Sequence, residues 1–346
     1  MLLELLRIRD DADAGRLLTA VRSVERSLSR LEAAPNLDSF GSHMAPTVLA
    51  QSVASSVRLS GIAVETADVA ALLAGEQTVG NPTAMAVSRG VADALHAVLD
   101  RPGDLPLSES QLKYLQSLIL RHDAAAAAFR RQYRREGADA GSIPANLGAL
   151  ISWSKEQLEG VPEPSERLPA YVVIAAFAWR LLDIRPFAVG NSRLARTVVA
   201  QFLVQYGYTF QLVAPIELAL EARTNLLKAA FDSGDAVGWV ALFLEAFAEA
   251  AANAADGLTT TTGESPAKVA SREAESILLT PRQERVLAAM RERGAAKIGD
   301  LLLVLGIPRA TLKKDLRELV GSGRLSSTGV RKGTVYRVLP ESRAAD

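Results

Sequence analysis

Two arginines stand three residues apart behind a turn of small polar residues: Gly190-Asn191-Ser192-Arg193, then Arg196. Arg185-Pro186-Phe187 closes an apolar stretch upstream, and another apolar stretch follows, so the order reads helix, loop, helix. Successive amide N–H groups at the start of the second helix point the same way, and the helix dipole adds partial positive charge. The spacing of three puts Arg193 and Arg196 on one face of its first turns. Such a loop can cradle a phosphate, because guanidinium forks match its oxygens. The plainer alternative is a helix connection with two surface arginines, and local features alone favour it.

Other chemistry is sparse. The 346 residues contain no Cys, which excludes a Cys nucleophile, a disulfide scaffold and any thiolate zinc site. Three scattered His leave no basis for a metal centre. His96 and His122 fall in helical segments, and no Gly-x-x-x-x-Gly-Lys phosphate loop occurs.

The elements that must hold the loop are helices. Ala, Leu, Arg and Glu dominate and aromatics are 5%. Helical periodicity covers Ala12 to Leu31, Ala45 to Val57, Ala84 to Leu99, Glu109 to Arg131 and Asn146 to Glu159. It continues over Pro169 to Leu182, Ser192 to Tyr206, Ile216 to Asp232 and Ala236 to Ala255. No apolar run reaches the roughly 18 residues of a membrane span, and the first residues lack the apolar core of a signal peptide. A cytoplasmic protein without membrane contact is expected.

Gly257 to Pro266 is small, polar and rich in breakers, which predicts a linker. The segment beyond it has its own texture. Thr280-Pro281 opens a helix, Ile298 to Leu305 forms a second, and Pro308 to Val320 a third. Arg324 to Val338 reads as a β-hairpin. Three helices and a hairpin make a winged helix-turn-helix, and Gly306 to Arg317 resembles recognition helices of bacterial winged-helix regulators. Arg309, Thr311, Lys313, Lys314 and Arg317 on the third helix, with Arg331 and Lys332 at the hairpin tip, are the candidate DNA contacts. Residues 280–340 hold 13 Lys+Arg against 5 Asp+Glu, a net of +8, so the overall charge of zero leaves −8 on the rest. That zero therefore does not exclude nucleic acid. Use of this module for protein contacts is the alternative.

The stretch from Pro169 to Tyr208 resembles the Fic family, whose pattern is His-Pro-Phe-x-Asp/Glu-Gly-Asn-Gly-Arg-x-x-Arg between two apolar helices. Pro186, Phe187, Gly190, Asn191, Arg193 and Arg196 fit at the right spacing. Leu112 to Arg134 fits the preceding segment, with Phe129-Arg130 before a flap at Tyr133 to Pro144, and the likeness spans about Arg16 to Ala255. The resemblance implies a helical fold that in many members transfers AMP from ATP to a protein hydroxyl with Mg²⁺. Three positions depart from it: Arg185 stands at the family His, Val189 at the acidic residue and Ser192 at the second Gly. A guanidinium cannot accept a proton as a general base, and Val offers a metal no oxygen. No catalytic residue is assigned, and AMP transfer is expected to be lost.

The same resemblance covers an upstream inhibitory motif, Ser-x-x-x-Glu-Gly. Ser56 and Gly61 match it and Ser60 replaces the Glu, which in the family pairs with the second motif arginine, here Arg196. Without that Glu, Arg196 is expected to find solvent, another acid or a bound phosphate. The implied phosphate or nucleotide site is Arg185, Gly190, Asn191, Ser192, Arg193 and Arg196, with ATP or another nucleotide as ligand without Mg²⁺-dependent catalysis; a loop kept only as a structural relic, with no ligand, is the equal alternative.

The expectation is a mainly α protein, a Fic-type helical bundle with a short β flap plus the winged helix-turn-helix. Its parts are an N-terminal helical region at 1–104, the Fic-like core at 105–256, a linker and connecting helix at 257–279, and the DNA-binding domain at 280–340. The expected role is a DNA-binding transcriptional regulator, a homodimer, whose helical domain senses a phosphate ligand or supplies the dimer contact. An enzyme with altered phosphate-transfer chemistry is the alternative.

Overall fold

A computed structural model describes residues 8, 10–34, 44–78, 80–100, 106–159, 168–260, 281–305, 309–321, 324–328 and 335–338. The chain forms two compact units, Met1–Thr262 and Gly263–Asp346.

The first unit is helical. Among the described residues its helices are α1 (Asp11–Glu32), α2 (Pro46–Arg58), α3 (Thr66–Leu73), α4 (Pro82–Leu99), α5 (Glu109–Ile119), α6 (Ile143–Glu159), α7 (Ala170–Ile184), α8 (Asn191–Gln205), α9 (Ile216–Glu221), α10 (Thr224–Asp232) and α11 (Ala236–Thr260). Starts are set by local chemistry. Asp10, Asn81 and Ser108 accept from the free amides of α1, α4 and α5 respectively. Helix α7 is apolar on nearly every face and buried from Tyr171 to Trp179, as a helix at the centre of a bundle must be. Helix α8 packs on α7 and on α4, and α1 lies along α11. One hydrophobic core runs from Ala20 to Leu258, so residues 1–104 and 105–256 share a core within one unit.

Helix α11 also runs past the expected linker start at 257, to Thr260. Its stretch Ala236–Leu258 is long and apolar enough to cross a membrane by length and composition, but most of its apolar 18-residue window, 67%, is buried inside this unit, the pattern of a core helix.

Three sequence expectations shift. The helix expected over 109–131 ends at Ile119. Beyond it, the Asp123 carboxylate accepts from the amides of Ala125 and Ala126 at 3.1 and 3.3 Å, and Arg131 adopts a left-handed φ of 61°. The helix expected over 216–232 breaks between α9 and α10, where Thr224 Oγ1 donates to the Glu221 carbonyl at 2.7 Å. The flap at 133–144 is one antiparallel bridge, Tyr133 to Phe187, followed by a 3₁₀ turn at Ala140–Ser142.

The second unit contains α12 (Pro281–Arg293), β1 (Ala295–Lys297), α13 (Ile298–Leu305), α14 (Arg309–Gly321), β2 (Leu325–Thr328) and β3 (Val335–Val338). The expected hairpin is present: β2 and β3 pair antiparallel from Leu325–Val338 to Thr328–Val335. The three-residue β1 adds a further strand on the other side of β3, giving the order β1-β3-β2. A separate core of Val286, Leu287, Met290, Leu301, Leu312, Leu316, Leu319 and Leu325 holds this unit.

Candidate anion-binding site

The loop between α7 and α8 is built by its own side chains. Helix α7 ends on Arg185, whose left-handed backbone (φ 45°, ψ 61°) turns the chain sharply. A non-glycine residue held there is strained, so neighbours must fix it. Arg134 does so. Its Nε donates to the Arg185 carbonyl at 2.8 Å, its Nη2 to the Ile184 carbonyl at 3.2 Å, and its amide to the Pro186 carbonyl at 3.0 Å. Phe187 is 1% exposed and packs on Tyr133 with ring centroids 5.7 Å apart, which nails the loop to the core. Gln116, buried in α5, donates to the Phe129 carbonyl at 3.0 Å and accepts from the Arg131 amide at 2.7 Å.

Asn191 closes the loop. Its Oδ1 accepts from the Phe187 amide at 2.9 Å, and its Nδ2 donates to the Phe187 carbonyl at 2.7 Å. Its side chain is therefore spent on the loop, and what it offers a ligand is its backbone amide. Gly190 caps α8 with φ 88°, a conformation glycine adopts without strain. No side chain caps α8, which leaves its first amides facing outward.

The two arginines differ. Arg193 is 8% exposed, and its Nε and Nη1 are buried without a hydrogen-bond partner among the described residues. A Cβ built on Gly190 would lie 4.0 Å from Arg193 Nη2, so the guanidinium reaches the α8 N-terminus. Burial pushes the Arg193 pKa down, and attraction from Asp123 opposes the shift. A desolvated, unpartnered guanidinium beside free amides is a site shaped for an anion.

Arg196 is part-buried and engaged. Its Nε donates to Ser56 Oγ at 2.9 Å, and its Nη2 donates to the Ser56 carbonyl at 2.6 Å and to Ser60 Oγ at 2.7 Å. Burial pushes its pKa down to about 10, Arg193 adds to the shift, and buried Glu217 on α9 opposes it. Burial in turn raises the pKa of Glu217, against the pull of Gln211, which donates to it at 2.9 Å, and of Arg196. Arg196 therefore has partners without a ligand: of the solvent, other acid or bound phosphate expected in place of the missing Glu, an acid, Glu217, is near enough to attract its charge, while its hydrogen bonds go to serine. Serine oxygens fill the place.

Arg185 is exposed, and its side chain makes no hydrogen bond or ion pair among the described residues. Val189 is half-buried, and its carbonyl accepts from Gln116 Nε2 at 3.5 Å. Gly61, with φ 79°, turns the chain after Ser60. No group of acids and histidines able to hold a metal occurs among the described residues. Sequence reasoning missed Gln116, Arg134 and Glu217. A lone amide in the apolar run around Leu115 was a signal for Gln116, while nothing local marked the other two.

In the second unit, Lys313 and Arg317 are exposed on α14, four residues apart, while Leu312, Leu316 and Leu319 are buried. The side chains of Arg309, Thr311 and Lys314, and residues Arg331 and Lys332 altogether, lie outside the described residues.

The fold is shared with solved structures of Fic proteins. A Fic family protein from Desulfovibrio desulfuricans G20 is 16% identical, with a TM-score of 0.54 over 95% of this chain and 97% of that one. A Fic domain containing signaling protein from Bacteroides thetaiotaomicron VPI-5482 is 18% identical, with a TM-score of 0.51 over 70% of this chain and 99% of that one. Fic-1 (residues 134 to 508) from C. elegans is 13% identical, with a TM-score of 0.51 over 73% of each chain. The family model described as Fic/DOC family matches residues 106–203, so this chain carries a Fic/DOC domain there. No curated protein matches the sequence.

Proposed function

We propose that this chain is a DNA-binding regulator whose Fic domain binds a phosphate or nucleotide and has given up AMP transfer. The observation that carries the reading is the buried, unpartnered guanidinium of Arg193 in a loop that has Arg185 and Val189 at the family's base and acid positions. Arg185 stands where the family pattern has its general base, and a guanidinium cannot take the proton of an attacking hydroxyl. Val189 stands where the pattern has a carboxylate, and it gives Mg²⁺ no ligand. Arg193 remains buried with unpartnered donors, which is costly unless an anion joins it. Binding groups are kept while transfer groups are gone.

The second unit supports the DNA half of the reading. Helix, strand, helix, helix, strand, strand with the order β1-β3-β2 is the plan of a winged helix-turn-helix. In that plan α14 is the recognition helix, and Lys313 and Arg317 sit on its exposed face. Binding as a homodimer would read two half-sites. The protein acts in the cytoplasm, where its DNA lies.

A second reading rests on exposed Arg185, free to stabilise a leaving phosphate in an altered transfer reaction. One experiment decides between them. The chain is incubated with ATP labelled on the α-phosphate, Mg²⁺ and cell lysate, and a parallel sample is run against genomic DNA fragments in a gel shift. The regulator reading expects no label on protein and a DNA shift that weakens with Lys313→Ala. Strong labelling that vanishes in Arg193→Ala, with no DNA shift, overturns it.

A further inference from the structure

An open cavity of about 540 Å³ lies between α2, the start of α3 and α9. Its volume falls within the range of small-molecule sites. It shares no residue with the loop between α7 and α8. Leu218, 39% exposed, and Ala222 give it an apolar wall. An ion pair forms its polar side: Arg58, at the end of α2, holds Glu221, at the end of α9.

What the cavity still offers a ligand follows from its hydrogen bonds. Arg58 Nε and Nη2 donate to the two carboxylate oxygens of Glu221, the Nη2 bond being 2.9 Å. Nη2 also donates to Ser55 Oγ at 3.2 Å. Nη1 donates to the Val64 carbonyl at 3.0 Å and to Thr66 Oγ1 at 3.3 Å. Every N–H of this guanidinium therefore has an acceptor, and the cation has no donor left for a ligand. The carboxylate differs. Its oxygens carry about four lone-pair sites, and Arg58 and Ser55 take only part of them. The Glu221 side chain is 30% exposed, so its remaining acceptor capacity is open to a donor in the cavity. Arg58 holds the Glu221 carboxyl below its ordinary pKa of 4.5, which keeps it ionised at neutral pH.

The surrounding charge has the same sign. Glu221 raises the Arg58 pKa most, and Glu65, the residue before α3, is close enough to add to the rise. Arg58 thus stands between two carboxylates, which leaves an excess of negative charge. Arg223, next to Ala222, does not offset it, because its Nη1 turns to Glu249 at 2.6 Å and to the Ala219 carbonyl at 3.0 Å.

We propose that this cavity binds a small organic cation, a protonated amine on an apolar body. The ammonium donates to the open side of Glu221, and the apolar body covers Leu218 and Ala222. Gln51 lines the rim from the exposed face of α2. An anion would meet two carboxylates and find no free donor on Arg58.

The test is calorimetric titration of the full chain at pH 7 and fixed ionic strength with benzylamine, a protonated amine on an apolar ring, and with benzoate, an anion of similar size. The unaltered protein should bind benzylamine about tenfold more tightly than benzoate, the size of one charge-assisted hydrogen bond. Leu218→Ala, which removes the apolar wall at an exposed position, should weaken benzylamine about fivefold. Gln51→Trp, which fills the cavity from the surface of α2, should abolish binding. Glu221→Gln, which removes the carboxylate charge and frees Arg58, should reverse the preference. Arg193→Met should change nothing, because the cation site does not depend on the anion loop. The proposal is overturned if benzylamine does not bind, if benzoate binds as tightly, or if Leu218→Ala and Gln51→Trp both bind benzylamine as the unaltered chain does, which would mean diffuse attraction to an acidic surface.

Discussion

Replacing Arg193 by Met should stabilise the ligand-free protein. Most substitutions of a 92%-buried residue destabilise, so the sign is a sharp test. Arg193 holds two buried donors, Nε and Nη1, without partners among the described residues. Each unsatisfied donor costs about 1–3 kcal/mol. Attraction from Asp123 recovers part of that, and Met keeps the aliphatic stem and the helix propensity of Arg. A net gain of about 2 kcal/mol remains, which for a unit of this size raises Tm by about 4–8 °C. Differential scanning calorimetry in a buffer free of phosphate and carboxylate reads it. A fall of more than about 2 °C would mean that Arg193 is satisfied in the empty protein, and the argument for a vacant anion site would collapse.

Other consequences follow from the same packing. Gly90→Ala on α4 would bring a Cβ within 2.2 Å of the Ile119 carbonyl on α5; about 3 kcal/mol of destabilisation is expected, seen as a lower denaturant midpoint. Glu221→Gln should cost about 1 kcal/mol near pH 7, a figure reduced for the pair's 30% exposure. Because Arg58 holds the Glu221 pKa below its ordinary 4.5, that difference is full above pH 4.5 and fades as the pH drops further, which paired urea melts at pH 7 and pH 3.5 would show. Lys313→Ala and Arg317→Ala should each weaken DNA binding evenly across sequences and lower the salt slope by about 1, measured by anisotropy at several salt concentrations.

Much of this architecture could be read along the chain, because helical periodicity is local. The ranges expected for α1, α2, α4, α7 and α8 differ from the observed ones by at most a few residues at either end. The β2–β3 hairpin was legible from its breakers and alternation. The failures have one cause. Helix α5 stops at Ile119 because Gln116 and Asp123 capture backbone groups of the following loop, a competition that propensity does not reveal. Strand β1 is three residues whose partners, Val335 to Arg337, lie some forty positions away. The site follows the same rule. The candidate loop was visible as Gly190-Asn191-Ser192 with two arginines. The different fates of those arginines were not. Ser60 meets Arg196 across 136 residues of sequence, and burial separates Arg193 from its neighbour only once α5 packs against the loop.

The central claim is that the Fic pocket binds a phosphate group at Arg193 without transferring it. Phosphorus NMR of AMP with the full chain tests it most directly. The account predicts that the AMP resonance broadens and shifts with added protein, that the signal persists unchanged in chemical identity, and that Arg193→Met abolishes the effect. An AMP resonance indifferent to the protein, or one shifted equally by the Arg193→Met variant, would contradict it.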